Sequence, residues 1–146
     1  MNLAGRLHRV PRAIKRLLGQ AGKEMATVLV VEDDEGVQEI LRAALDMFGH
    51  KCEICGDARQ AGSALEKKGF DLAILDIMLP GENGVEFSWT LRQQYPQMPI
   101  LIVSGILERW DEDDIKDCGA DRIMPKPLNM SELRQAISEL LENGRR

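Results

Sequence analysis

The stretch Asp71–Gly84 constrains the fold of this chain more than any other. An apolar run, Leu72–Leu75, ends in one carboxylate, Asp76, and turn residues follow between Pro80 and Gly84. A short apolar run bounded by turn residues is typical of a strand buried on both faces of a parallel sheet. Open parallel sheets place their sites at the carboxyl ends of strands. We therefore expect Asp76 to be the reactive residue, although alone it would be better explained as a capping or loop aspartate.

The remainder of residues 26–143 alternates between strand and helix patterns. The predicted strands are Thr27–Val31, Lys51–Cys55, the run ending at Asp76, Ile100–Val103 and Arg122–Met124. Helical spacing of apolar residues predicts helices over 37–48, 58–65, 84–94, 107–118 and 130–141. Strict alternation predicts a parallel sheet with helices on both faces. Right-handed crossovers then bring every strand's carboxyl end to one edge of the sheet.

Length and charge restrict the class of protein. The 146 residues suffice for one domain with a proper core, and no apolar stretch is long enough to cross a bilayer. Of the 19 basic and 24 acidic residues, six and one lie in residues 1–25, so the remainder carries 13 and 23, a net charge of −10. An acidic body argues against nucleic acid as a direct ligand.

Residues 1–25 differ from the rest and are predicted to be a basic extension outside the domain. Apolar residues recur there at roughly helical spacing, namely Leu7, Val10, Ile14, Leu17 and Leu18. We expect a disordered tail, or a start codon placed too early, since termini are commonly disordered. The alternative is an amphipathic arm for an anionic surface. Residues 144–146 are expected to be a short tail.

Three cysteines point to a reducing compartment. An odd number of cysteines without an export signal fits the cytoplasm. Cys52 and Cys55 have the spacing of a redox or zinc half-site, but both fall on a predicted strand. Residues three apart on a strand point to opposite faces, so this pair is not expected to bridge or to share a metal.

Polar residues stand at the predicted carboxyl ends of four strands. Glu32 and Asp33 follow the first strand, Asp76 the third, Ser104 the fourth and Lys126 the fifth. Three close carboxylates repel one another and are stable only around a cation, and oxygen ligands suit Mg²⁺. A lysine and a hydroxyl at the same edge can hold phosphate oxygens. The set predicts transfer of a phosphoryl group to a carboxylate.

Each of these residues also has an ordinary structural explanation. Asp33 or Asp34 can cap the first helix, and we expect Asp34 to do so. Ser104 alone would be a turn residue, and Lys126 alone a solvated surface charge. The convergence of all of them at one edge of one sheet favours the functional interpretation.

With these motifs in view, the chain resembles a receiver domain of two-component response regulators. The segments that carry the resemblance are Val30–Asp34, Leu75–Gly81 with Asn83 and Gly84, Val103–Gly105, and Gly119–Asp121 leading to Lys126 and Pro127. It covers residues 26–143. The resemblance implies an α/β flavodoxin-like fold with strand order 2-1-3-4-5. It also implies a phosphoprotein in two-component or phosphorelay signal transduction, with no output domain following in this chain.

The resemblance implies a role for each site residue. Asp76 would be the phosphoacceptor, attacking a phosphohistidine of a sensor histidine kinase or phosphotransfer protein. Asp33, Asp76 and the main-chain carbonyl of Met78 would bind Mg²⁺, with Glu32 acting through a water. Lys126 would pair with the phosphoryl group, and the Ser104 hydroxyl would move inward to donate to it. Such a domain catalyses its own phosphorylation and dephosphorylation without being a conventional enzyme, and its Lys126-Pro127 bond is cis.

One departure from the family pattern concerns how the signal leaves the site. The family usually has an aromatic three residues before the lysine, where this chain has Ile123. The acidic fourth helix could move as a unit instead, although its charges are equally explained as a solvated face. Trp89 and Trp110 are candidates for contacts with a downstream protein target, partial burial being the alternative. A homodimer is left open.

Two other functions compete with the phosphorylation switch. The first is a receiver-fold interaction module that is never phosphorylated, which the missing aromatic favours. The second is a flavin- or nucleotide-binding enzyme on the same fold. The acidic turn Glu32–Glu35 counts against the second, since it would repel phosphate.

Overall fold

The structure is a computed structural model, which describes residues 25–105 and 111–143. Its five strands are short and apolar because most of them are covered on both faces. They are β1 (Thr27–Val31), β2 (Lys51–Cys55), β3 (Leu72–Asp76), β4 (Ile100–Ser104) and β5 (Arg122–Pro125). Every residue of β3 and β4 is buried, as their continuous hydrophobic sequences predict. The last two strands each run one residue beyond their predicted ends.

All neighbouring strands pair in parallel, in the order β2-β1-β3-β4-β5. This order confirms the predicted flavodoxin-like sheet. Val31 at the end of β1 is level with Leu75 on β3, and Asp76 is level with Val103 on β4. The register therefore brings the residues that follow β1, β3 and β4 to one edge of the sheet.

Five helices lie within the described residues; four connect successive strands and the last follows β5. They are α1 (Glu35–Met47), α2 (Ala58–Lys67), α3 (Gly84–Gln94), α4 (Glu112–Asp117) and α5 (Met130–Asn143). Side chains cap several of them at the amino end, where backbone N–H groups lack helical partners. Asp34 accepts from the Val37 N–H, as expected, and Asp57 from that of Gln60. Residues 107–110 of the predicted fourth helix, including Trp110, lie outside the described residues.

Two apolar layers enclose the sheet, one on each face. α1 and α5 cover one face, where Leu41, Leu45, Leu133 and Ile137 are buried. α2 and α3 cover the other, with Ala61, Leu65, Phe87 and Leu91 among the buried residues. The central strands contribute alternate side chains to the two layers, because successive residues of a strand point to opposite faces.

Arg92 on α3 joins three segments at the edge of the sheet opposite the strand carboxyl ends. Its guanidinium donates to the Gly119, Pro96 and Met98 carbonyl oxygens at 2.9, 3.1 and 2.7 Å. It also lies 2.6 Å from Asp121, whose carboxylate accepts the Ile100 N–H at 2.8 Å. Gly119 has φ +85°, and a Cβ there would lie 2.7 Å from the Arg92 Cβ. This network fixes the loop that leads into β5.

The cysteines occupy separate positions, as the strand geometry predicts. Cys52 packs with the layer under α1 and α5, whereas Cys55 belongs to the opposite layer. The three cysteines, all within the described residues, form no disulfide. Burial raises the pKa of the Cys55 thiol to about 11, so it is not a reactive thiolate at neutral pH.

Residues 1–24 and 144–146, which the sequence assigns to an extension and a tail, lie outside the described residues. Within 25–105 and 111–143, no helix combines the length and apolar character needed to cross a membrane.

Candidate functional site: an acidic cleft with one lysine

Three carboxylates meet at the carboxyl edge of the sheet. Glu32 and Asp33 directly follow β1, and Asp76 is the last residue of β3, the strand next to it. One oxygen from each lies within 4.8 Å of the others. Glu32 and Asp76 are buried, whereas Asp33 is exposed. The structure thus brings together the three acids that the sequence predicted to form one site.

Lys126 supplies the positive charge of this cluster. Its Nζ lies 2.9 Å from Glu32 Oε2 and 2.8 Å from Asp76 Oδ2. The backbone N–H of Lys126 donates to the Ser104 carbonyl at 2.9 Å, which anchors the residue beside the end of β4. The Lys126-Pro127 peptide bond is cis, as the family resemblance implies. The lysine therefore bridges two acids that come from different strands.

Burial and hydrogen bonding set the charge states of this cluster. Burial raises the pKa of Glu32 to about 7, and the neighbouring Asp76 adds to the effect, while the hydrogen bond from Lys126 opposes it. Burial acts to lower the pKa of Lys126, but its hydrogen bonds to Asp76 and Glu32 outweigh burial and raise it. Lys126 is therefore a firmly charged ammonium, bonded to two of the three carboxyl groups.

The loops around the acids hold each carboxylate in place. The Glu32 Oε1 accepts the Asp34 N–H at 3.1 Å, and Asp76 Oδ1 accepts the Met78 N–H at 3.0 Å. The Met78 side chain is 57% exposed, so its role here is through its backbone. These contacts leave the acids aimed into an open cleft of about 1220 Å³ that Asn83 also lines.

Gly84 is a site residue whose function the sequence did not reveal. The sequence indicates only a turn residue and the start of a helix, but Gly84 is the buried first residue of α3 and packs against the backbone at the end of β3. A Cβ at this position would lie 2.1 Å from the Asp76 carbonyl oxygen and 2.7 Å from the Ile77 Cα. Only a residue without a side chain allows this approach.

Ser104 and Ile123 lie behind the cleft rather than in it. Ser104 ends β4 and is only 1% exposed, and its neighbour Gly105 is the residue that lines the cleft. Ile123 on β5 is partly buried against the layer under α2 and α3. Ser104 therefore adjoins the cluster without being part of the cleft surface. Trp89, by contrast, is 53% exposed on α3.

The donor set fits a magnesium ion. The cluster combines three carboxyl groups with one bonded ammonium, so it has an excess of negative charge. All the candidate ligands are oxygens, which hard cations such as Mg²⁺ prefer. The acidic cluster of Glu32, Asp33 and Asp76 therefore matches the type of site that binds this ion.

Comparison with known proteins defines the class. The family model for the response regulator receiver domain matches residues 28–138, and the chain belongs to this family. The chain is 34% identical over 117 residues to the transcriptional regulatory protein TcrA of Mycobacterium tuberculosis, covering 80% of this chain and 46% of that protein. It is also 34% identical over 118 residues to the transcriptional activator protein PfeR of Pseudomonas aeruginosa, covering 81% and 38%. The chain thus spans less than half the length of these regulators.

Solved structures give the same result. The chemotaxis response regulator CheY4 of Vibrio cholerae is 30% identical, with a TM-score of 0.73 over 81% of this chain and 100% of that one. TrrA of Thermotoga maritima, solved in complex with Mg²⁺ and BeF, is 26% identical, with a TM-score of 0.74 over 80% and 100%. The resemblance drawn from the motifs is confirmed.

Proposed function

We propose that this protein is a phosphorylation switch in which Asp76 accepts a phosphoryl group from a phosphohistidine. The single observation that carries the proposal is the position of Asp76, at the floor of an acidic cleft with Lys126 Nζ 2.8 Å from its Oδ2. A carboxylate oxygen of Asp76 attacks phosphorus, the phosphorus–nitrogen bond breaks, and the imidazole leaves. The donor is a sensor histidine kinase or a phosphotransfer protein.

The surrounding residues have complementary roles in this proposal. Asp33, Asp76 and the Met78 carbonyl would hold Mg²⁺, and Glu32 would act through a water; the bound ion would neutralise charge on the phosphoryl oxygens. Lys126 pairs with the transferred group, which replaces the carboxylate contacts it makes now. Ser104 moves inward and donates its hydroxyl to a phosphoryl oxygen. The same residues support the domain's own phosphorylation and the hydrolysis of the product.

The new charge on Asp76 shifts a partner-binding surface around α4, β5 and α5. Lys126 links the site to this surface directly, because it follows β5 and bonds to Asp76. With Ile123 in place of a rotating aromatic ring, we propose that Ser104 and α4 carry the change. The downstream target is a protein, and the receiver itself does not bind nucleic acid. Location in the cytoplasm is supported by the three cysteines, which form no disulfide.

The first and last residues of the domain are also part of this proposal. We propose that the receiver is residues 26–143, somewhat wider than the matched 28–138. The expectation of a receiver without an output domain is open to test, since the two regulators compared above are longer proteins that this chain covers in part.

The test is uptake of a phosphoryl group from acetyl phosphate with Mg²⁺, measured by intact-protein mass spectrometry. The expected result is a gain of one phosphoryl mass in the unmodified chain and none in Asp76→Asn. The matched control is Asp57→Asn, which removes an equal charge but keeps a side chain able to cap α2. Equal labelling of Asp76→Asn and the unmodified chain would refute the assignment.

The second candidate function is an interaction module that is not phosphorylated. It is favoured by one observation, the aliphatic Ile123 where the family usually has an aromatic. Absence of any mass gain, with a histidine kinase tested as well as acetyl phosphate, would support this function instead.

A further inference from the structure

The outer face of α1 carries an apolar strip that no described part of the chain covers. Ile40 is 50% exposed and Met47 77%, and the exposed Ala43 lies between them. Their spacing of three and four residues places them on one face of the helix. Leu41, Ala44 and Leu45 face the core, so α1 is apolar on two sides. Single exposed apolar residues are ordinary, but a continuous strip marks a surface that binds something.

The chain enters the domain beside one end of this strip. The Ala26 N–H donates to His50 Nδ1 at 3.1 Å, and the Lys51 N–H donates to the Ala26 carbonyl at 2.9 Å. His50 comes three residues after Met47, so residue 25 lies near the carboxyl end of α1. Met25 is itself 48% exposed. Whatever precedes Met25 therefore begins next to the strip.

The preceding segment has the composition that the strip requires. Residues 1–24 carry six basic residues and one acid, a net charge of +5, and an apolar stripe that runs from Leu7 to Leu18. α1 carries Glu35, Glu39 and Asp46 against Arg42, a net charge of −2. Apolar and charged features are thus complementary between the segment and the helix.

We infer that residues 1–24 dock on the strip formed by Ile40, Ala43 and Met47, with the stripe Leu7–Leu18 packed against it. With Pro11 in its first turn, a helix over residues 11–18 would be about 12 Å long, and it would fit along the roughly 20 Å of α1. Gly22 permits the reversal that brings the segment back along α1. Because the segment is covalently tethered to the domain, its effective concentration at the strip is on the order of mM. The docked state would therefore be populated even if the contact were weak.

Docking would place the segment next to the candidate site. Glu35 and Gly36, at the amino end of α1, line the acidic cleft. The inference does not depend on phosphorylation of Asp76, because it rests on the exposed strip and on the segment's sequence.

The experiment uses the full chain with ¹³C-labelled methionine methyl groups, observed by NMR in the presence of a soluble nitroxide. The chain has seven methionines. Met47 reports on the strip, and Met78, 57% exposed in the cleft loop, is the internal reference. Docking predicts a relaxation enhancement at Met47 several-fold smaller than at Met78, although Met47 is the more exposed in the described domain.

Two variants of the segment give the matched comparison. Ile14→Asp introduces a carboxylate on the apolar stripe and is expected to raise the enhancement at Met47 to that of Met78. Gly19→Asp introduces the same charge on the opposite side of the helical projection and is expected to leave Met47 protected. Protection that depends on protein concentration would overturn the inference in favour of a second copy. Equal enhancement at Met47 and Met78 in the unmodified chain would also overturn it.

A membrane surface is the competing binding partner for residues 1–24. The same spectra distinguish membrane binding from docking on α1. Vesicles of phosphatidylglycerol are added to the unmodified chain. Persistent protection of Met47 with no vesicle binding supports docking. Vesicle binding by residues 1–24, with Met47 equally accessible before and after addition, overturns it.

Discussion

Gly84 at the start of α3 lies so close to Asp76 that a Cβ would be 2.1 Å from the Asp76 carbonyl oxygen. We expect Gly84→Ala to destabilise the protein by about 2 kcal/mol or more, because the added methyl group must displace backbone. The displaced backbone is that of the reactive residue, so the rate of phosphoryl uptake should fall as well. Urea denaturation and the acetyl phosphate assay measure the two effects.

Gly62 in α2 is the control for this substitution. Nothing lies within 4 Å of a Cβ placed on Gly62, so Gly62→Ala should stabilise the protein by about 0.5–1 kcal/mol through helix propensity. If the two variants had similar stability, the close approach of α3 to Asp76 would not be required.

Asp33 is expected to contribute more to Mg²⁺ affinity than its neighbour Asp34. Asp33 belongs to the three-carboxylate cluster, whereas Asp34 caps α1 through the Val37 N–H. Asp33→Asn should weaken Mg²⁺ binding at least tenfold, or about 1.4 kcal/mol, as measured by isothermal titration calorimetry. Asp34→Asn removes the same charge and keeps the cap, and should change the affinity by only about twofold through screened long-range attraction. Equal losses would place the ion elsewhere.

Lys126 is expected to stabilise the fold as well as the site. Its ammonium group bonds to the buried Glu32 and Asp76, and its own side chain is only 20% exposed. Lys126→Met should cost about 2–4 kcal/mol, because two close buried carboxyls lose their partner. Mg²⁺ should raise the melting temperature of this variant more than that of the unmodified chain. The exposed Lys67→Met, at the end of α2, should behave like the unmodified chain in both measurements.

Arg92 is expected to stabilise the fold although it is distant from the acidic cleft. Its guanidinium bonds three carbonyl oxygens and Asp121, and the two charged side chains are 10% and 17% exposed. Arg92→Ala should cost about 3 kcal/mol in urea denaturation, since carbonyls and a carboxylate lose their donor. Arg42→Ala breaks only an exposed pair with Glu39 and should cost less than about 0.5 kcal/mol. A small effect at Arg92 would mean that the Gly119–Asp121 loop is fixed by other contacts.

The local patterns in this chain predict the fold well because each one agrees with its neighbours. Continuous apolar runs predicted buried strands, and helical spacing predicted α1 and α2, with Asp34 as the expected cap of α1. Because the carboxyl ends of parallel strands lie at one edge of the sheet, the sequence also predicted that four residues meet there, namely Glu32, Asp33, Asp76 and Lys126. The predicted ends of β4 and β5 were one residue short, since Ser104 and Pro125 lack the apolar character used to define the strands.

Contacts between distant segments were not visible in the sequence. Gly84 resembles any turn glycine until α3 is packed on the Asp76 backbone. The bond between Lys126 and Glu32 depends on the order of strands in space, not on spacing along the chain. The exposed strip on α1 was hidden for a related reason, since Ile40 fits the apolar spacing of the helix and was expected to face inward. It is instead 50% exposed.

The bridge between Glu32 and Lys126 joins residues 94 positions apart. During translation, Glu32 and Asp76 are therefore synthesised well before Lys126, which follows β5. Until then a nascent chain holds Glu32 and Asp76 without their counter-charge. The charge balance of the cleft is thus established late in translation, and a product truncated before Lys126 would lack it.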